Sequence, residues 1–400
     1  GYADLASMGN KLKFDNINGN LVLLGLTGMA DPPREEVKEA IRQCKDAGIR
    51  VLMATGDHKA TASAIAAELE LPPGRPIDGR ELNDMSDEEL ATQIGDISIF
   101  ARIEPAHKHR LVTALKKNGH IVAMTGDGVN DAPALKAANI GIAMGRSGTD
   151  VAKEAADMVL ADDDFATIVV AIAEGRAIFN RLRNVILFLL STNVGELLAL
   201  VLTVALVGKA PLTALQIIWV NLVTETVSAI PLGLEPKSGR ELQQPPRHPS
   251  VGLVYPGLLM RILFLASIMG AGIFVVFRWA DPKMSVEEAR TLAFCTMVAF
   301  EWFRAFNSRS DERTVWSLGL FTNRYLLIGI GAAIILQLGA VYLPFAQAAF
   351  DTVALAPERW AIAIGAGGTL FVIEETRKAI APRLFSKGKW QPAGWLPWSR

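Results

Sequence analysis

The second half of the chain is a series of apolar stretches, at residues 185–207, 212–234, 253–277, 291–306, 325–345 and 360–376, divided by short charged segments. The first, second, third and fifth are long enough to cross a hydrocarbon core of roughly 30 Å as helices, whereas the fourth and sixth are shorter or more polar. Lipid offers no hydrogen bonds to a backbone, so runs of this kind can only form a helical bundle. Arg176, Arg181 and Arg183 precede the first stretch, Lys237, Arg240 and Arg247 follow the second, Arg309, Arg313 and Arg324 the fourth, and Arg377, Lys378 and Arg383 the sixth. The alternate loops carry only Lys209, then Lys283 and Arg290 among acids, then Arg359. Positive charge collects on the cytosolic side, so six spans are expected, with both ends in the cytosol.

Carboxylates interrupt these runs. A charge at the bilayer centre costs at least about 2.5–3.5 kcal/mol, so each requires a partner or a purpose. Glu196 lies mid-way along the first stretch with Asn193 three residues before it, about 60° round the same face. In "IIWVNLVTETVSAIPLG", Asn221, Thr224 and Glu225 share one face, and Pro231 and Gly233 loosen the helix beyond them. Glu301 sits in "VAFEWFRAFNS". These residues offer only oxygen donors, which suits a hard cation such as Ca²⁺. Asn and Thr also serve as polar contacts between helices, and Arg304, one turn from Glu301, is a possible ion-pair partner for it.

The first 180 residues alternate strand-like and helix-like patterns. "LVLLGLTGM", "IRVLMAT", "ISIFARI", "HIVAMT", "IGIAMG" and "DMVLADDD" read as strands. "REEVKEAIRQCKDAG", with Val37, Ala40, Ile41 and Cys44 on one face and a stop at Gly48, reads as a helix, as do "KATASAIAAELEL", "HKHRLVTALKKNG" and "DAPALKAA". This alternation predicts an α/β domain with one parallel sheet and helices on both faces. Ligands bind such sheets outside the carboxyl ends of the strands, where both "TGD" turns, Thr55–Asp57 and Thr125–Asp127, fall. A lone Gly-Asp pair is also an ordinary turn. With Lys108 between them, the two turns fit a phosphate site in which Asp127 holds Mg²⁺.

Composition narrows the class. Half of the residues are hydrophobic, and 40 basic residues balance 41 acidic ones, which gives no electrostatic case for nucleic acid. Cys44 and Cys295 stand in unlike contexts, so no disulfide is expected. The start, "GYADLASMGNKLKF", lacks an initiator Met and an apolar core, and part of a longer polypeptide is expected.

"MTGDGVNDAPALKAANIGIAMG" resembles the hinge signature of P-type cation-transporting ATPases, whose phosphorylation domain has the haloacid dehalogenase fold. "DPPR" (Asp31–Arg34), "ATGD" (Ala54–Asp57) and "ARIEPAHK" (Ala101–Lys108) match in the same order. "STNVGE", "WVNLVTE" and "FEWFRAFNS" resemble the fifth, sixth and eighth membrane helices of the calcium-pump branch. The resemblance implies a tail of the nucleotide-binding domain and hinge over 1–30, a phosphorylation domain over 31–165, and a stalk with six membrane helices over 166–400. Asp127 would bind Mg²⁺, with Asn130 and Asp131 organising the phosphate site. Thr55 and Gly56 would contact the phosphoryl group, beside Asp57, and Lys108 would offset its charge. Asp31 and Arg34 belong to the hinge. Asn193, Glu196, Asn221, Thr224, Glu225 and Glu301 would be ligands of the transported cation. The implied activity is ATP-driven cation transport, Ca²⁺ foremost, through an aspartyl-phosphate, in a multi-pass protein of the bacterial plasma membrane whose soluble domain is cytosolic.

The sequence contains no "DKTGT", "TGE" or "PEGL", so the family's phosphorylated aspartate and first four membrane helices are missing and the chain is expected to be inactive alone. Glu225 stands where calcium pumps usually carry Asp, which leaves Na⁺ or H⁺ export open. A membrane-anchored phosphatase of the same fold and an inactive structural fragment are the readings from other classes. An anchor alone has no need of Glu196 and Glu225 in mid-membrane.

Overall fold

The computed structural model describes residues 33–249, 251–382 and 384–385. The expected strand "LVLLGLTGM", Asp31 and the 1–30 segment lie outside the described residues. Six strands follow: β1 (Met53–Ala54), β2 (Arg75–Asp78), β3 (Ile97–Ala101), β4 (Ala123–Gly126), β5 (Ile140–Met144) and β6 (Met158–Leu160). All pairings are parallel, but they form two three-stranded sheets, ordered β1-β3-β2 and β4-β5-β6, rather than the single sheet expected. No strand pairing joins β1 to β4 among the described residues. The sheets nonetheless share one core. Ala54 and Phe100 from the first and Met124 from the second pack with Leu52, Leu111, Leu115 and Val122. β3, central in its sheet and buried at every position, is the continuous apolar run that a strand covered on both faces requires.

Two other sequence expectations shift at their edges. "IRVLMAT" pairs only over Met53–Ala54. β2, "RPID", was not foreseen, because four residues opening on Arg-Pro carry no strand-like alternation. The helices α1 (Glu35–Asp46), α2 (Lys59–Glu68) and α3 (Pro105–Lys117) fall where the periodicity places them. α1 buries Ala40, Ile41 and Cys44, starts on Glu35 and Glu36, and is followed by Gly48 at φ 70°, a conformation that glycine adopts without strain.

α4 (Phe165–Val207) leaves the soluble domain and enters the bundle without a break. Its 43 residues reach about 65 Å, roughly twice a hydrocarbon core. Asp164 accepts the Ala166 N–H at 2.8 Å to cap its start, and Gly208 at φ 76° ends it. α5 (Ala214–Leu234) is irregular: a π-helical turn occupies Val220–Thr224 and a 3₁₀ turn Ile230–Leu234 around Pro231. α6 (Pro256–Ala280) lies close against α4. A Cβ on Gly270 would stand 2.8 Å from Leu198 Cβ, and one on Gly195 3.0 Å from Met269 Cβ, so the helices meet through small residues.

α7 (Val286–Asn307), α8 (Arg324–Tyr342) and α9 (Pro357–Ile380) complete the bundle. Among the described residues, four helices (α4, α5, α6 and α8) are long and apolar enough to cross a membrane, against six expected spans. α7 and α9, of 22 and 24 residues, fall outside that set. The reason is packing. α7 is buried on nearly every face from Ala289 to Asn307, so it meets other helices rather than lipid and tolerates Glu301 and Arg304. α9 ends in buried Glu374, Glu375, Arg377 and Lys378, which are paired internally.

Candidate phosphate and cation sites

Both "TGD" turns leave the carboxyl ends of strands, as expected. The Thr55 hydroxyl donates to Asp57 at 3.0 Å and accepts the Asp57 N–H at 3.1 Å. The same turn is tied to the segment after β3, with Ile103 N–H donating to Thr55 O at 3.2 Å and Arg102 N–H to Asp57 O at 2.9 Å. That segment leads directly into α3, whose first turn carries Lys108. Lys108 Nζ reaches Asp131 Oδ1 at 2.6 Å.

Asp131 is the hub. Its Oδ2 accepts the N–H groups of Asp127 and Gly128 at 3.2 Å each, so Lys108 and two backbone donors occupy both carboxylate oxygens. Asp127 is exposed, and its carboxylate has no protein donor among the described residues. The two aspartates of "GDGVND" therefore differ in chemistry. Asp131 shapes the turn, and Asp127 is left with open oxygens, which fits a Mg²⁺ that keeps most of its coordination for water and phosphate. Asn130 is exposed on the same turn. Arg34 donates to Asp163 O at 3.3 Å.

Three contributors were missed in the sequence. Gly126 is required because a Cβ there would lie 2.5 Å from Asp131 Cβ. His107, buried behind Lys108, accepts the Glu104 N–H on Nδ1 at 3.0 Å and meets Asn83 Oδ1 at 2.7 Å through Nε2, which fixes the start of α3. Asp163 accepts the N–H groups of Gly145, Arg146 and Ser147 at 2.6, 2.9 and 2.7 Å and folds the loop after β5. Hydrogen bonds to backbone donors, Arg146 first, draw the Asp163 carboxyl down to about 2. The pairing of these donors with Asp163 spans 16 to 18 residues, which no local pattern shows.

In the membrane half, each carboxylate is matched to a polar group of another helix. Asn193 Nδ2 on α4 donates to both oxygens of Glu225 on α5 at 3.2 Å. Asn221 Nδ2 on α5 donates to Glu196 Oε2 on α4 at 3.1 Å. Thr224 Oγ1 donates to Glu301 Oε2 on α7 at 2.6 Å. The alternative pairing of Arg304 with Glu301 is not formed. Arg304 instead donates to Ser308 Oγ at 2.9 Å, Ser191 Oγ at 2.8 Å and Leu187 O at 3.4 Å, because its side chain runs towards the basic end of the bundle.

Two oxygens here are buried without a partner, Glu301 Oε1 and Asn221 Oδ1. The π-helical turn at Val220–Thr224 swings Asn221 and Thr224 out of regular spacing, so each reaches a different neighbouring helix. No group of three or more His, Cys, Asp and Glu side chains is positioned to hold a metal among the described residues. Glu196, Glu225 and Glu301 are linked in pairs through amides and a hydroxyl, not gathered round one point.

The soluble domain, with its acidic turn at the strand ends, thus runs through one helix into a bundle that carries carboxylates on three helices. Sequence comparison agrees in both halves. The model for haloacid dehalogenase-like hydrolases matches residues 7–139, and that for the carboxy terminus of cation-transporting ATPases matches 209–380. The chain is 45% identical over 351 residues to the calcium-transporting ATPase of Bacillus subtilis, covering 86% of this chain and 39% of that protein. It is 42% identical over 388 residues to the probable cation-transporting ATPase F of Mycobacterium tuberculosis, covering 95% and 43%. It is 40% identical over 366 residues to calcium-transporting ATPase 1 of Saccharomyces cerevisiae, covering 90% and 38%. The chain is a homologue of the P-type cation-transporting ATPases, and it spans about two fifths of the length of these relatives.

Proposed function

We propose that the polypeptide carrying this chain is an ATP-driven cation pump, most favourably for Ca²⁺, that works through an aspartyl-phosphate. Residues 31–165 would supply the phosphorylation domain without its acceptor aspartate, 166–400 the stalk and membrane domain, and 1–30 the tail of the nucleotide-binding domain. The protein would be multi-pass in a bacterial plasma membrane, with the soluble domain in the cytosol.

Asp127 would hold Mg²⁺, which supplies charge neutralisation for phosphoryl transfer from ATP. Lys108 would place a positive charge beside the transferred group, while Asp131 keeps the turn N–H groups and the Lys108 ammonium aligned. Thr55, Gly56 and Asn130 would orient phosphate oxygens, with Asp57 holding the Thr55 hydroxyl. In the membrane, Asn193, Glu196, Asn221, Thr224, Glu225 and Glu301 would ligate the cation.

The observation that supports this most is Glu301. A fully buried carboxylate with one oxygen bonded to Thr224 and the other unpartnered is costly unless it has a cation to receive. The test is ATP hydrolysis by the product of the complete reading frame, with Ca²⁺, Na⁺ and H⁺ varied separately. Stimulation by Ca²⁺ that is lost in Glu301→Gln supports the proposal. Stimulation by Na⁺ or by acid alone reassigns the ion, and hydrolysis indifferent to all three contradicts a pump.

A further inference from the structure

At the end of the bundle that faces the soluble domain, a cavity of about 200 Å³ opens between α4, the loop after α5, the start of α6, the loop after α7 and the end of α9. It is smaller than the roughly 300–1,000 Å³ typical of sites for drug-sized molecules, so it suits one compact group. Eight of its lining residues are lysine or arginine and four are aspartate or glutamate. Two of those carboxylates are already committed. Glu235 is held by Arg309 at 2.8 Å, and Asp311 by Arg183 at 2.8 Å and Arg261 at 2.6 Å. Burial alone would push the Asp311 carboxyl up, yet Arg183 and Arg261 hold it well below the usual carboxylate range.

Six of the eight cations are held in return: Arg181 and Lys237 by Glu174, Arg183 and Arg261 by Asp311, Arg309 by Glu235 and Arg377 by Glu374. Glu241 and Glu312 also line the cavity. Arg240 and Arg313 line the cavity and have no ion-pair partner among the described residues. Arg183 is 7% exposed, and its Nε is buried without a hydrogen-bond partner although its Nη2 pairs with Asp311. A buried, unsatisfied guanidinium N–H in a cavity that also holds two unpaired guanidinium groups is costly unless an acceptor comes to it. The guanidinium fork is shaped for the oxygens of phosphate, and in a bundle that spans a bilayer with its basic end cytosolic, as proposed above, the cavity would open at headgroup level.

We propose that this cavity binds a phosphate-bearing anion through Arg183, Arg240 and Arg313. The phosphate belongs either to an anionic phospholipid headgroup or to free phosphate. The site is separate from Asp127 and Lys108 and from the membrane carboxylates, and its test reads binding rather than transport, so it stands or falls apart from the pump proposal.

The product of the complete reading frame is reconstituted in phosphatidylcholine nanodiscs, with phosphatidylglycerol added in one arm and inorganic phosphate in the other, and the thermal midpoint is followed against ligand. A saturable upward shift is expected in one arm, and Arg240→Ala with Arg313→Ala is expected to raise the half-saturating amount about tenfold or more. Arg183→Lys, which keeps the charge and removes the unpartnered Nε, is expected to weaken it as well. Arg324→Ala, outside the cavity at the same end of the bundle, leaves it unchanged. A shift with phosphatidylglycerol alone assigns a lipid headgroup, and one with inorganic phosphate assigns a free anion. No shift in either arm, or a shift that Arg324→Ala reduces as much as the double variant, overturns the site.

Discussion

Thr224 Oγ1 donates to Glu301 Oε2 at 2.6 Å, joining α5 to α7 through a carboxylate whose second oxygen has no partner. Both residues are fully buried. Thr224→Val removes the donor while keeping the shape, and it is expected to destabilise the bundle by about 1–3 kcal/mol, the cost of stranding a buried acceptor. Glu301→Gln keeps the Thr224 contact and removes the charge, so its thermal midpoint is expected at or above that of the wild type. Thermal unfolding in detergent, read by tryptophan fluorescence, separates the two. A lower midpoint for Glu301→Gln than for Thr224→Val contradicts this assignment.

Asp131 is expected to be the most sensitive position of the soluble domain. Lys108→Ala leaves its carboxylate, 7% exposed in the side chain, without a cation and is expected to cost about 1–3 kcal/mol. Asp127→Asn removes no protein contact of the side chain and is expected to be neutral for stability while abolishing ATP hydrolysis. Chemical denaturation and hydrolysis assays on the same two variants of the product of the complete reading frame give the comparison. Equal destabilisation by both contradicts the division of roles.

The Asp163 carboxyl lies below its unfolded value, drawn down to about 2 by backbone donors of which Arg146 is first. A depressed carboxyl contributes stability above its unfolded pKa of roughly 3.9, and that contribution is lost as pH falls through the folded value. The stability gap between wild type and Asp163→Asn is therefore expected to be constant above about pH 5 and to close between about pH 4 and 2. A gap that persists undiminished at pH 2 rules out the three backbone hydrogen bonds as its source.

Gly270 is expected to tolerate no side chain of size. A Cβ there lies 2.8 Å from Leu198 Cβ and 3.2 Å from Gly195 O, so Gly270→Leu forces α4 and α6 apart at an expected cost of about 1–3 kcal/mol or more. Gly272→Leu is a less direct comparison, since a Cβ there meets only the movable ring of Phe300 at 2.6 Å. Folded yield and thermal midpoint of the two variants measure the difference. Gly270→Leu behaving as wild type contradicts the close helix crossing.

Local chemistry was legible in the sequence where one segment contains its own cause. α1, α3 and the apolar helices carry caps, periodicity and stops within themselves, and both "TGD" turns fall at strand ends. Pairing between distant segments was not legible. Nothing in "RPID" announces a strand, because β2 is made by β3 beside it. The π-helical turn in α5 carries no local mark, and without it the spacing of Asn221, Thr224 and Glu225 suggests one shared face, whereas Asn221 turns to Glu196 and Thr224 to Glu301. Arg304 beside Glu301 reads as an ion pair by spacing, yet Ser191 and Leu187 of α4 and its own Ser308 take its donors. α7 carries Glu301 and Arg304 among its apolar residues because the bundle, not lipid, surrounds it.

In the pump proposed above, Glu196, Glu225 and Glu301 would come together on one cation. Equilibrium Ca²⁺ binding to the product of the complete reading frame, with each glutamate changed singly to glutamine, tests it most directly. Each variant is expected to bind Ca²⁺ about tenfold or more weakly, since every one removes a charge from the same oxygen set. Ca²⁺ binding unchanged in any two of the three contradicts a shared site.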